Sequence, residues 1–411
     1  MLYLDGYTVP AGRERQAGGA PSSDAIGYGV TASAAIRTGL AAAGFDLARP
    51  EIAVPVAVPA AGDVRVGRLR WLLSSYDGVL DVLSTSPPDV VFSFHAFSTF
   101  PTEIRRMLLD LGLDVPLVGY THGSHWDPSD TFRFQAYPGM ELLDLANLHV
   151  LDRVLLVSEY LRATLRDTIS AFNAPLAKSL DAKSEVVGLP LDVERIDAYR
   201  TQERWARPTI VFNHAPVAGK NPDLFARVMC RLLPRYDVQV LFTRRFGPKQ
   251  AGGAAVAALA ERFPEQVLLG NDLPLPQYYR ALWMADLQVS TATHESLGVS
   301  TLEAMHTGTC CILPRLGSYP EITGGHPDVL YDLGEGQLEE RLDYFLEHPD
   351  RRQAVAADLQ RAAARYAPAV VVPRIASVLD GIEHHLVSPG PPAPAIGLTP
   401  RNPPRLPVQT G

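Results

Sequence analysis

Apolar and polar positions alternate along this chain in two different rhythms. Some short runs are apolar almost throughout, among them VVFSF (90–94), VPLVGY (115–120), RVLLV (153–157), TIVF (209–212) and CCIL (310–313). Continuous runs of that length suit strands of a parallel sheet covered on both faces. Between them lie stretches with apolar residues three and four apart, such as YGVTASAAIRTGLAAAGF (28–45), VGRLRWLLSSYDGVLDVL (66–83), PTEIRRMLLDLGL (101–113) and NPDLFARVMCRLLPRY (221–236). That spacing predicts helices with one buried face. MLYLDGY (1–7) reads as a first strand and EIAVPVAV (51–58) as another.

The pattern restarts after Asp192. The expectation is an α/β protein of two doubly wound, Rossmann-like domains facing each other across a cleft. Residues 1–192 form the first domain, 193–206 a linker and 207–370 the second. A further helix over 371–387 can return to the N-terminal half, and the proline-rich tail 388–411 reads as disordered. Ligands of such sheets bind beyond the carboxyl ends of the strands, which makes the cleft the expected site.

Composition narrows the function. A length of 411 residues, 46% of them hydrophobic and 20% charged, fits a globular chain with more than one core. The 37 basic and 45 acidic residues leave a net charge of −8, which argues against a grip on a long polyanion. A local basic cleft for one phosphorylated small molecule is still compatible with it. Cys230, Cys310 and Cys311 make no C-x-x-C pair and no disulfide framework, so buried thiols in a reducing cytoplasm are expected. The N-terminus lacks the basic start and apolar run of a signal peptide, and no uninterrupted apolar window approaches a membrane span.

The strongest chemical candidate is HESLGVSTLEA (294–304). It follows the strand DLQVST and runs into a helix, so the helix N-terminus offers unpaired N–H groups for phosphate and Gly298 permits close approach. Glu295, in the loop, could accept hydrogen bonds from sugar hydroxyls, and Glu303, about one turn into the helix, could serve a second hydroxyl pair. The plainer reading makes Glu295 a solvated loop acid and Glu303 an acid favouring the positive end of its helix. Spacing alone leans to that plainer reading, because two glutamates eight apart are common. Position at a strand's carboxyl end also singles out His122, with His95 as a second candidate or a core residue.

The surrounding segments, taken in order, change the weighting. Glu295 and Glu303, with Gly298 between them, match the E-x7-E signature of retaining family-4 glycosyltransferases, which have the GT-B fold. PRLGSYPEI (314–322) fits the same block, and GYGVTASAAIRTGLAAAG, PDVVFSFHAF, VPLVGYTHG, LLVSEYLRATL and LPLDVERI resemble the family's other segments in their usual order. The resemblance covers about Ala25 to Asp332. Within the class, FNHAPVAGKNPDLF, THESLGVSTLEAM and CCILPRLGSYPEI most resemble tRNA-queuosine mannosyltransferases. The N-terminal half departs from that subgroup, carrying THGSHWDPSD where its members have a HEN segment.

The resemblance implies a nucleotide sugar held by the second domain, no metal and no other cofactor; no D-x-D motif occurs in the chain. Fixed cations would then offset the charge on the leaving diphosphate. Lys220 occupies the place of the family's lysine. Its usual arginine, five positions earlier, is Ala215 here, leaving His214, Arg244 or Arg245 to replace it; the two arginines also read as a solvated loop pair. The resemblance assigns Glu295 to the donor sugar and Glu303 to the ribose. Backbone N–H groups of Leu297, Gly298, Val299 and Ser300 would touch sugar and phosphate, and Gly270, Asn271 and Leu273 would line the base. His122 would face the sugar from the first domain, and His95, His125, Trp126 and Asp127 would shape an acceptor pocket. Tyr28 and Gly29 would lie near the diphosphate or the acceptor.

Three functions compete. The first is a glycosyltransferase with a small-molecule acceptor, nucleoside-like, metabolite or glycoside, which the net charge and the divergent N-terminal half favour. The second is mannosyl transfer to queuosine in tRNA, and the third is a non-catalytic sugar-nucleotide binder, suggested only by Ala215.

Overall fold

The computed structural model describes residues 1–5, 28–50, 64–97, 100–130 and 139–382. The strand expected over 51–58 and the tail 388–411 lie outside the described residues.

Two parallel sheets organise the chain. Among the described residues the first has the order β1-β2-β3-β4-β5: β1 (Leu2–Leu4), β2 (Val91–Ser93), β3 (Leu117–Thr121), β4 (Arg153–Leu156) and β5 (Ser184–Val186). Helices cover it, so Leu2, Tyr3, Val91, Phe92, Leu117, Val118, Val154 and Leu155 are fully buried, which is why these strands read as unbroken apolar runs. Tyr3 stacks on Phe92 with ring centroids 5.0 Å apart, and the Tyr120 hydroxyl donates to the Gly188 carbonyl. Helix Glu159–Ala182 starts where the Ser158 hydroxyl accepts from the Leu161 N–H. It breaks at Asn173 (φ −155°, ψ 97°), two residues before Pro175, because proline has no N–H to continue the ladder.

The second sheet has the order β11-β10-β9-β6-β7-β8: β6 (Thr209–Phe212), β7 (Gln239–Phe242), β8 (Val267–Leu269), β9 (Leu287–Val289), β10 (Cys310–Pro314) and β11 (Leu330–Tyr331). From β6 the chain winds outward through β7 and β8; from β9 it winds the other way through β10 and β11. The loops after β6 and β9 therefore diverge and open a crevice at the carboxyl end of the sheet. Cys310 and Cys311 are fully buried in β10, and burial pushes both thiols up, as expected of inert core cysteines.

The stretch Pro349–Asp380 has the length and composition to cross a membrane. It is two helices, Pro349–Ala363 and Pro368–Asp380, interrupted at Ala367 (φ −65°, ψ 147°), and both bury apolar faces. The second of them packs on helix Tyr28–Ala42 of the first sheet's layer. There Gly39 leaves space that the Val372 methyls fill: a Cβ at Gly39 would stand 2.7 Å and 2.9 Å from them. The Leu191 N–H donating to the Tyr366 carbonyl at 2.8 Å adds a second tie between the first half and the C-terminal helices.

Replacing Gly39 by valine should press side chains together at this seam and lower stability by about 1–3 kcal/mol, seen as a lower melting temperature. Val372→Ala should return part of the loss in the Gly39→Val background, because it removes the methyls the new Cβ would meet.

Candidate functional site

Two loops build the site. The loop after β6 begins with buried Asn213 and His214, continues through Ala215 and ends in a 3-10 turn, Ala218–Lys220. Asn221, at φ 46°, then turns the chain so that Pro222 opens helix Pro222–Leu232 at a position where its missing N–H costs nothing. The loop after β9 is fastened to it. The Thr291 hydroxyl reaches the Lys220 and Asn221 carbonyls at 2.8 Å and 2.9 Å, and the Thr293 N–H donates to the Gly219 carbonyl at 2.9 Å. The same loop ends at Gly298, whose φ of 85° suits glycine and caps helix Val299–His306. Gly317 packs directly against the Glu295 backbone, where a side chain would collide with the Glu295 carbonyl. Ser318 donates its N–H to that carbonyl at 3.1 Å.

This scaffold brings Lys220 and Glu295 together: Lys220 Nζ donates to Glu295 Oε2 at 2.6 Å, with only 21% and 13% of the two side chains exposed. Burial alone would raise the Glu295 carboxyl, but the Lys220 charge and hydrogen bond hold it below the usual range. The Tyr319 hydroxyl donates weakly to the same oxygen at 3.4 Å. His214 lies just beneath. Its burial, with Lys220 nearby, pushes its pKa down to about 3, so the ring is neutral. Gln288 Nε2 lies 3.3 Å from His214 Nε2, which can only accept from it, and this leaves Nδ1 to donate to the Ser300 hydroxyl at 3.3 Å.

A cavity of about 460 Å³ opens above these residues. Of the residues singled out in the sequence, it is lined by His122, His214, Lys220, Arg244, Arg245, Glu295, Leu297, Gly298, Val299 and Ser300, with Ala215 at its wall. Lys220, Arg244 and Arg245 line it together with Glu295 and Asp272, three cations with two carboxylates. Arg244 lies over the Tyr278 ring at 5.9 Å, and the Arg245 N–H donates to Asp272 at 3.0 Å. The walls come from both halves of the chain, since His122, Val157 and Leu189 belong to the first.

Other expected residues stand elsewhere. Glu303 does not line the open cavity and accepts from the Tyr278 and Tyr279 hydroxyls at 2.6 Å and 3.2 Å; burial raises its carboxyl. Gly270, Asn271 and Leu273 do not line the cavity, whereas Asp272 between them does. His95 packs edge-on against His122 at 5.0 Å, one layer behind the wall. His125, Trp126 and Asp127 also lie off the wall. His125 Nδ1 is 2.7 Å from buried Asp144, Trp126 donates to the Glu141 carbonyl at 2.6 Å, and Asp127 is almost fully buried. Tyr28 and Gly29 open helix Tyr28–Ala42, and their side chains lie outside the described residues. Asn213, Gln250, Asp272 and Ser296 line the cavity without having been foreseen. Asn213 beside His214 at a strand end was the one readable signal; the others depend on loop shape. Among the described residues no group of three or more His, Cys, Asp or Glu side chains is arranged to hold a metal.

No family model matches this chain. It is 32% identical over 147 residues to the lipopolysaccharide core biosynthesis mannosyltransferase LpsB of Rhizobium meliloti, which is 34% of this chain and 40% of that protein. It is 26% identical over 155 residues to the tRNA-queuosine alpha-mannosyltransferase of Drosophila melanogaster, 36% of this chain and 41% of that protein. The matched stretch thus spans about two-fifths of the length of these relatives. Among solved structures, a sucrose-phosphate synthase from Thermosynechococcus elongatus superposes with a TM-score of 0.68 over 86% of this chain and 93% of that one, at 13% identity. Anabaena HepE, solved with UDP and glucose, superposes with a TM-score of 0.59 over 93% and 99%, at 15% identity. The fold is therefore GT-B, two Rossmann-like units facing across a cleft, as the sequence resemblance implied.

The buried neutral His214 has a consequence for acid stability. A histidine held at about 3 when folded, but near 6.5 when unfolded, binds its proton only in the unfolded chain over that window. Stability should therefore fall as pH drops from about 6 towards 4, by up to about 1.4 kcal/mol per pH unit from this residue. Chemical unfolding of His214→Asn across that range should show a shallower acid limb than the parent.

Proposed function

We propose that this protein is a retaining, metal-independent glycosyltransferase that moves a hexose from a nucleotide sugar to a small-molecule acceptor. The observation that carries the reading is the Lys220–Glu295 pair, held in the crevice between β6 and β9 beside the N-terminus of helix Val299–His306. That terminus and the three cations suit a diphosphate, and Glu295 suits the hydroxyls of the sugar next to it. The similarity to mannosyltransferases and to HepE solved with UDP and glucose supports the same donor class.

In the proposed reaction the diphosphate rests on the N–H groups of Leu297 to Ser300, with Lys220 as its nearest cation. Arg244 and Arg245 take the part of the arginine replaced by Ala215, since His214 is neutral. The bond between the sugar's anomeric carbon and the β-phosphate oxygen breaks, and the acceptor oxygen bonds that carbon from the same face. The acceptor proton passes to a diphosphate oxygen. Lys220 and the helix N-terminus stabilise the charge that develops on the leaving group. Glu303 reaches the ribose only through its tyrosine partners or after a shift of its side chain. Transfer to queuosine in tRNA is the second reading, supported by the Drosophila relative and opposed by the net charge of −8.

A thermal-shift screen against UDP-, GDP- and ADP-sugars should show one donor raising the melting temperature, because a ligand of the folded form stabilises by mass action. Lys220→Ala should bind the matching nucleoside diphosphate about 10–100-fold more weakly by calorimetry, a loss of about 1.4–2.8 kcal/mol. Glu295→Gln should keep nucleotide binding and lose about 100-fold or more in sugar release or transfer. A parent protein that binds no nucleotide sugar would overturn the reading, and binding that collapses with added salt only for bulk tRNA would favour the second one.

A further inference from the structure

The contacts between the two halves near the cleft converge on a few residues around Glu295. Ser158, which caps helix Glu159–Ala182, donates its hydroxyl to the Ser296 carbonyl at 2.6 Å. Ser296 donates its own hydroxyl to the His122 carbonyl at 2.9 Å. Glu321 accepts from the Glu159 and Tyr160 N–H groups at 3.1 Å and 3.2 Å, at the positive end of that helix. Its neighbour Ser318 is tied to the Glu295 carbonyl.

The fourth contact is the most elaborate. His294, directly before Glu295, enters a socket made by residues 127–130 and Tyr160 of the first half. Its Nδ1 is 2.8 Å from the Ser129 hydroxyl and 3.4 Å from Asp127 Oδ2, and its Nε2 is 3.6 Å from Asp130 Oδ2. Asp127 has only 2% of its side chain exposed and accepts from the Ser129 N–H at 2.9 Å, the Ser129 hydroxyl at 2.7 Å and the Tyr160 hydroxyl at 3.0 Å. With the Ser129 proton given to Asp127, Ser129 is left to accept from His294 Nδ1–H. The socket is braced from behind, where the His125 N–H donates to Asp144 at 2.7 Å and the Trp126 indole to the Glu141 carbonyl. A buried carboxylate with three donors is costly to assemble for a surface loop of no consequence.

We propose that His294 is a positioning residue: the Asp127–Ser129 socket of the first half grips it and so holds the adjoining Glu295 in its working geometry. The idea rests on the donor-site reading of Glu295. It differs from the earlier expectation for Asp127, whose carboxylate serves the second half of the protein instead of an acceptor. The halves remain joined at Gly39–Val372 and Leu191–Tyr366 when the grip is lost, so its loss need not unfold the chain.

The test compares His294→Ala, Asp127→Asn and Ser129→Ala with the parent. UDP and GDP affinities by calorimetry should stay within about twofold, because the nucleotide contacts lie elsewhere in the second half. The turnover number for nucleoside diphosphate release from a UDP-glucose and GDP-mannose panel should fall about tenfold or more. In a Glu295→Gln background, adding His294→Ala should cost less than about twofold further, since both changes remove one function. Deuterium uptake over residues 290–298 should rise in Asp127→Asn and Ser129→Ala while the melting temperature holds. Parent-like turnover in His294→Ala, additive losses with Glu295→Gln, or a matching fall in nucleotide affinity would each overturn the grip. If the parent neither binds nor turns over any nucleotide sugar, the donor-site reading fails; unchanged uptake over 290–298 in Asp127→Asn would then separately sink the socket.

Discussion

A partly buried ion pair between Lys220 and Glu295 sits at the point where the second sheet reverses its winding, and the rest of the site is arranged around it. Taking two charges out of water is expensive unless each keeps close partners. Here the ammonium and carboxylate are 2.6 Å apart, and their backbones are clamped by Thr291, Thr293 and Ser318. Removing either partner would leave its neighbour as an uncompensated charge beside neutral His214. The pair therefore fixes how close the β6 and β9 loops stand, and with that the width of the crevice.

From this pair outward, the groups differ in what holds them. His214, Gln288, Asn213 and Ser300 form a neutral hydrogen-bonded layer under the cavity, which orders the first turn of helix Val299–His306 without adding charge. Arg244 and Arg245 stand on exposed loops and depend on a ligand or a ring face for order. Glu303 is held by two tyrosines and is kept from the open cavity unless they move. Preorganisation is thus strongest at the Lys220–Glu295 end of the cavity and weakest at the Arg244–Arg245 end.

Much of the fold was legible because the strands of both sheets are buried on two faces and so read as continuous apolar runs. The place of Glu295 and Gly298 at the mouth of the crevice was legible for a related reason: a strand, a glycine turn and a helix must follow one another closely around such a crevice. That His125, Trp126 and Asp127 would stand off the cavity wall was not legible, because loop polarity looks alike whether it faces a ligand or another part of the chain. Asp272 was passed over in favour of its neighbours, since which of four consecutive loop residues turns inward depends on backbone angles that spacing does not reveal. His294 was read only as the residue before a glutamate.

What the sequence determined by itself was the alternation of elements, the place where the winding restarts, and the identity of Lys220, Glu295 and Gly298 at the ends of strands. These follow from local periodicity and short-range turn chemistry, which act over a few residues. Only the tertiary structure decided that His294 is held by Asp127 and Ser129, some 165 residues away along the chain, that His214 is neutral, and that Glu303 faces two tyrosines. Those outcomes depend on burial and on which distant loops share a cleft, and neither is encoded in the spacing of neighbours.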